Sequence, residues 1–159
     1  MFSSLALLML SLATLSLAAP SSQEYHMFPR VRVPQSHFEV LKMRQNVLLN
    51  PRAVTDVECI DRTAHIVFHD QNDAELSICG GIAESVTKCH GSPTETIGKS
   101  GSALFTLKPI NQGATINIDK RRWEQCVRAA RAVCPTGSFS ARCIGGASSG
   151  DVGFKLLPS

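Results

Sequence analysis

The clearest hydrophobic pattern lies over residues 119–134. Trp123, Cys126, Val127, Ala130, Val133 and Cys134 recur at helical spacing, while Arg121, Arg122, Glu124, Arg128 and Arg131 fall on other sides. Asp119 offers an N-cap side chain in front of them, so the spacing predicts a helix ending at Cys134, where PTGS supplies a turn. Period-two alternation in AHIVFHD (64–70) and ATINID (114–119) predicts strands, and ALFTLKP (103–109) and VGFKLLP (152–158) are read as strands that follow Gly/Ser loops. A second helical window starts at Asn72, passes Cys79 and ends at Cys89, before the turn HGSP. Gly80 and Gly81 make it the weaker helix, at about 1 kcal/mol each against Ala.

These elements come in two similar sets. IGKSGSALFTLKP begins at Ile97 and IGGASSGDVGFKLLP begins at Ile144, each closing a set with a Gly/Ser loop and a strand. Asn72 stands seven residues before Cys79, and Asp119 seven before Cys126. The expected unit is strand–helix–strand, over 64–109 and again over 114–158. Two such units give β-α-β-β-α-β, a ferredoxin-like α+β sandwich with two helices on one face of an antiparallel sheet. In that arrangement Ile66 and Phe68 match Ile116 and Ile118 on the buried sheet face.

The ends of the chain have a different composition. Residues 5–18 form an apolar run broken only by Ser and Thr, with Ser16 and Ala18 placed for signal cleavage, so 1–18 is expected to be a secretory signal peptide. Residues 19–52 lack cysteine, carry several prolines and show no sustained period, which predicts a pro-segment or flexible arm. Within the arm, Leu41 to Arg44 and Leu49 to Arg52 each spell Leu-x-x-Arg, a pattern resembling furin-like (kexin) processing sites. The mature protein is then expected to begin at Gln45 or Ala53. The arm holds five basic and two acidic residues, which accounts for the whole net charge of +3. The domain at 53–159 is therefore neutral, and a nucleic-acid role loses its main support.

All six cysteines, Cys59, Cys79, Cys89, Cys126, Cys134 and Cys143, lie in that domain. An even count in an exported chain predicts three disulfides. Neither a Cys-x-x-Cys nor a His pair beside a Cys pair is present, so no metal site is expected. If both helical windows are continuous, Cys79 and Cys89 stand about 15 Å apart, and Cys126 and Cys134 about 12 Å. A disulfide needs Cα atoms within about 7 Å, so both of those pairings are excluded.

Candidate chemistry is sparse. Gly98-Lys99-Ser100 lacks the earlier glycine of a phosphate-binding loop, having Pro93 there, and precedes a strand rather than a helix, so it reads as a turn. His65 and His69 would share one face of the first strand and could act as acid and base. Glu58 and Arg142 would complete a ribonuclease-like set with them. Glu58, Asp61, Asp70 and Asp73 cluster in sequence without a glycosidase arrangement. Lys120-Arg121 is either a dibasic processing site between the sets or the first turn of the second helix. No enzyme activity and no cofactor are expected.

The signal peptide, the arm with its Leu-x-x-Arg sites and a six-cysteine domain with a repeated β-α-β unit resemble the small cysteine-rich secreted effectors of plant-associated fungi. More narrowly, the layout resembles the fold of the viral killer toxins of smut fungi. The resemblance covers architecture over 64–158 and assigns no site residue. It implies an extracellular, virulence-associated protein, expected as a monomer, that acts on a host or competitor protein or membrane surface. A killer or antimicrobial toxin is the alternative within that class. A secreted hydrolase and a protease inhibitor presenting GGASSGD (145–151) are the alternatives outside it.

Overall fold

Five strands pair antiparallel throughout, in the order β1-β4-β5-β3-β2. They are β1 (Val54–Asp61), β2 (Thr96–Ser100), β3 (Ala103–Pro109), β4 (Ser138–Gly146) and β5 (Asp151–Pro158). Among the described residues three α-helices accompany them: α1 (Gln35–Gln45), α2 (Phe68–Ser77) and α3 (Lys120–Val133). The computed structural model describes residues 35–80, 89 and 91–159. The signal peptide with its cut at Ala18, the first part of the arm, Gly81 and His90 lie outside the described residues. Among the described residues no helix is long and apolar enough to cross a membrane.

Alternation along β3 and β5 decides the faces of the sheet. Ala103, Phe105 and Leu107 on β3, with Val152, Phe154 and Leu156 on β5, are buried on one side. Phe139, Ala141 and Cys143 of β4 continue that side. Trp123 of α3 meets Phe105 and Phe154 edge-on at 5.3 and 5.1 Å between ring centroids, and Phe139 completes the aromatic core. α2 lies on the same side. Gly98 of β2 pairs with Phe105, and a Cβ there would overlap the carbonyl oxygen of Ala74 in α2. Both helices therefore cover one face, as the pattern predicts.

The strand–helix–strand unit does not form. Residues 64–67 are irregular and 68–70 open α2, so His65, Val67 and His69 share no strand face. Phe68, expected in the core, is 74% exposed. The reason is local. Asp70 accepts hydrogen bonds from the backbone N–H and hydroxyl of Ser102, at 2.8 and 2.7 Å, and the Ser102 hydroxyl also accepts from Val67 N–H. These bonds start the helix beside the β2–β3 turn, four residues before the expected cap at Asn72. The inward face of α2 is Gln71, Ala74 and Glu75, continued by Ile78 in the following turn, and it is half polar, which hides it from a hydrophobic-period reading.

Residues 114–119 likewise make a single bridge, Ile116 to Ala147, rather than a strand. The Ile116 N–H instead reaches the Pro93 carbonyl at 2.7 Å, and the Asn117 N–H reaches Gly146 at 2.7 Å. Ile116 and Ile118 are buried all the same. What recurs is a helix followed by a hairpin, α2-β2-β3 and α3-β4-β5. The two echoed stretches pair with one another: Phe105 faces Leu156 and Leu107 faces Phe154, a register that exchanges equivalent positions.

β1 is an edge strand that the period-two pattern does not mark. It bulges between Thr55 and Glu58, with Asp56 at φ 52°, which breaks the alternation. Gly98-Lys99-Ser100 belongs to β2 rather than to a turn, and the turn proper is Gly101-Ser102, with Gly101 at φ 45°.

Three disulfides hold these parts. Cys59–Cys134 ties β1 to the end of α3, and Cys126–Cys143 ties α3 to β4. Cys126 and Cys134 do not pair with each other. The third bridge, Cys79–Cys89, is one of the two excluded pairings, and the exclusion is overturned. α2 stops at Ser77, and Cys79 turns into the left-handed region at φ 59°, ψ 41°. The helical rise no longer applies, and the two Cα atoms lie 4.7 Å apart.

Candidate functional site

Among the described residues, no helix lies on the second face of the sheet. The paired Leu104 and Leu157 stand at one end of this face, and around its middle the side chains are polar: Thr106 and Lys108 on β3, Lys155 on β5, Ser140 and Arg142 on β4. Register sets them in two rows. Lys155 stands between Thr106 and Ser140, and Gly153 between Lys108 and Arg142. Because Gly153 has no side chain, the second row dips at its centre. The result is a groove of about 500 Å³, flanked by Ile110 and Asp56. Asp56, displaced outward by the β1 bulge, pairs with the Arg142 Nε at 3.2 Å. Lys108 and Lys155 are exposed beside it. Such a surface can hold an anionic or polar partner through lysine charges, hydroxyls and the methylene stems of the long side chains.

A second polar cluster is buried between the helices. Glu75 of α2 and Glu124 of α3 face Arg44 of α1, with Arg44 Nε 2.5 Å from Glu124 and its Nη2 3.3 Å from Glu75. Arg128 Nε bonds the other Glu124 oxygen at 2.6 Å. Asn72 accepts from Arg44 at 3.1 Å. Burial, then the neighbouring Glu124 charge, push the Glu75 carboxyl well above the usual range. Burial pushes Glu124 upward too. The hydrogen bond from Glu75, the Arg44 charge and the bonds from Arg128 and Arg44 outweigh it and hold Glu124 below the usual range, ionised. The Glu75 Oε1 has no hydrogen-bond partner.

Several expectations about α3 change with this cluster. Glu124 is 4% exposed although it lies off the apolar stripe, because α1 packs over it. Val133, expected inward, is 53% exposed at the helix end. Arg131 also turns inward. It donates to Gln71, Cys134 and Gly137 and stacks over Phe139, and burial lowers its pKa. Lys120-Arg121 forms the first turn of α3, capped by Asp119, which accepts from the Arg122 N–H at 2.8 Å.

His65 and His69 stay apart from Glu58 and Arg142, so the ribonuclease-like set does not form. His65 lines a separate hollow of about 480 Å³ with Gln71 and Arg131, and His69 is an exposed partner of Asp73 at 3.3 Å. Glu58 and Arg142 do share the bare sheet face through their pairing with Ser140 and Thr55. Among the described residues no group of His, Cys, Asp or Glu is placed to hold a metal ion.

The two Leu-x-x-Arg sites also differ. Arg44 is held in the buried cluster with its side chain 14% exposed, whereas Arg52 sits exposed in a single 3-10 turn, Pro51–Ala53. The described part of the arm is folded onto α3 rather than separate from it. No family model matches the chain, and neither a curated protein nor a solved structure matches it.

Sequence reasoning did not single out Thr106, Lys108, Ser140, Gly153 or Lys155. Thr106, Lys108, Gly153 and Lys155 lie on strands that the sequence marks, whereas Ser140 belongs to β4, which it does not mark.

Proposed function

We propose that the chain is a secreted, effector-like protein that acts outside the producing cell by docking a host or competitor component onto its bare sheet face. The carrying observation is the one-sidedness of the sheet. Helices and all three disulfides serve one face, and the other is left with a groove of about 500 Å³ whose exposed lysines exceed its free carboxylates. Three disulfides fit an oxidising compartment. The effector reading, with its likeness to smut-fungus killer toxins, rests on the layout of leader, arm and cysteine-rich domain.

The test is infiltration of the purified full chain into leaf tissue, beside a growth assay on competing fungi. Lys108→Glu with Lys155→Glu should abolish the response while leaving the thermal unfolding midpoint unchanged. A full response from the double variant rejects the bare face as the working surface. The protease-inhibitor reading has one supporting observation. The loop at 148–150 is exposed but braced, since Ser148 N–H donates to the Thr115 carbonyl at 2.8 Å and Gly145 N–H to Asp151 at 2.8 Å. A protease panel separates that reading from the first.

A further inference from the structure

The Glu75–Glu124 cluster is more than a buried salt bridge, because one partner comes from the arm and the others from the domain. On the arm side, the residues that bond α2 and α3 are Arg44 and Val47. Arg44 supplies its guanidinium to Glu124, Glu75 and Asn72. Arg128 reaches back across the gap, donating to the Val47 carbonyl at 3.0 Å and the Arg44 carbonyl at 2.7 Å. Val47 is 4% exposed, whereas Leu48 and Leu49 are 81% and 55% exposed. The chain thus grips the domain up to Val47, runs free over 48–50, and rejoins it at the buried Ala53.

We propose that the cleft between α2 and α3 is an arginine-binding socket, and that it retains the arm as a non-covalent ligand after the chain is cut at Arg52. A cut there severs none of the contacts that seat α1. The ligand class follows from the donor set. Two carboxyl groups and an amide oxygen converge on one planar guanidinium. An ammonium offers a point charge rather than a fork and would satisfy fewer of these acceptors. Other basic groups near the cleft are Arg128, already committed to Glu124 and the arm carbonyls, and Lys120 at its rim. Once the arm leaves, the socket is open to an arginine side chain from another molecule.

This inference does not depend on the sheet-face reading, since it concerns the opposite side of the molecule. The experiment uses the full chain with a site for a sequence-specific protease inserted between Leu48 and Leu49. After complete cutting at neutral pH and low salt, size-exclusion chromatography should show the arm still eluting with the domain. A labelled peptide of residues 35–52 should then exchange into the socket. The Arg44→Gln peptide should bind at least tenfold more weakly, and the Arg44→Lys peptide should fall between them. Free arginine should compete, and lysine should compete less well. The peptide variants leave the domain unaltered, so a folding failure cannot imitate the result. Release of the wild-type arm on cutting overturns the proposal, as does equal binding of the wild-type and Arg44→Gln peptides.

Discussion

The two helix–hairpin halves share an order but are held together by different means. In α3-β4-β5 the helix gives the sheet Trp123, Val127 and Ala130 and is bridged to β4 by Cys126–Cys143. In α2-β2-β3 the helix gives Ala74, followed by Ile78, alongside the polar Gln71 and Glu75, and its bridge, Cys79–Cys89, is local. The second half relies on buried apolar area. The first relies on close approach at Gly98 and on Asp70 bonding the hairpin turn. Trp123 joins them, since its ring fills the aromatic core while its Nε1–H donates to the Glu75 carbonyl at 3.0 Å. A repeated layout therefore tolerates very different packing chemistry, provided that one strong side chain spans the junction.

The largest break in that comparison should come from Trp123→Ala, which removes core from both halves. It is expected to cost about 3–5 kcal/mol in denaturant unfolding. An Ile78→Ala loss as large as this would mean that the first half is no weaker than the second. Removal of Cys126–Cys143, which closes 17 residues, should cost about 3 kcal/mol, against about 2.5 for Cys79–Cys89, which closes 10. Paired Cys→Ala variants measure both. Gly98→Ala should cost about 1–3 kcal/mol by pushing α2 off the sheet, whereas Gly113→Ala, with open space around it, meets no such overlap. Loss of α2 amide protection in Gly98→Ala, with α3 retained, would sharpen the contrast.

The smallest effect concerns pH. Glu75 has a folded pKa above its unfolded value, so folding takes up a proton between the two. Its contribution is fully present below the unfolded pKa and is lost as pH rises toward the folded one. Glu124 behaves oppositely, its contribution disappearing only as pH falls through its depressed folded pKa. Stability should therefore decline as pH rises above the ordinary glutamate range toward the raised Glu75 pKa, and Glu75→Gln should flatten that decline. Denaturation midpoints across that range, unchanged in slope by Glu75→Gln, would place the proton elsewhere.

The parts legible in the sequence are those where one physical term dominates. α3 has a capping Asp119 and an apolar stripe, and β3 and β5 alternate cleanly, so their positions and buried phases were readable. α2 was misplaced because its start depends on Ser102, 32 residues away, and its inner face includes Gln71 and Glu75. α1 carries no readable stripe. Its fixed point is Arg44, whose partners lie 31 and 80 residues further along the chain. The Cys79–Cys89 bridge was ruled out on the premise of an unbroken helix, and Gly80 was the signal against that premise. Of the candidate site, Thr106, Lys108 and Lys155 were visible as strand positions, but β4 was not marked, and the groove needed the β5 register to set Gly153 between Lys108 and Arg142.

The arrangement of both faces depends on the two hairpins meeting through β3 and β5, because that pairing puts every buried aromatic on one side and Lys108, Arg142 and Lys155 on the other. Long-range nuclear Overhauser contacts on labelled full-length protein read it directly. The account predicts cross-strand contacts from Phe105 to Leu156 and from Leu107 to Phe154, with no strand pairing of β3 to residues 64–70. Contacts pairing residues 64–70 or 114–119 as central strands would contradict it, and would restore the strand–helix–strand repeat in its place.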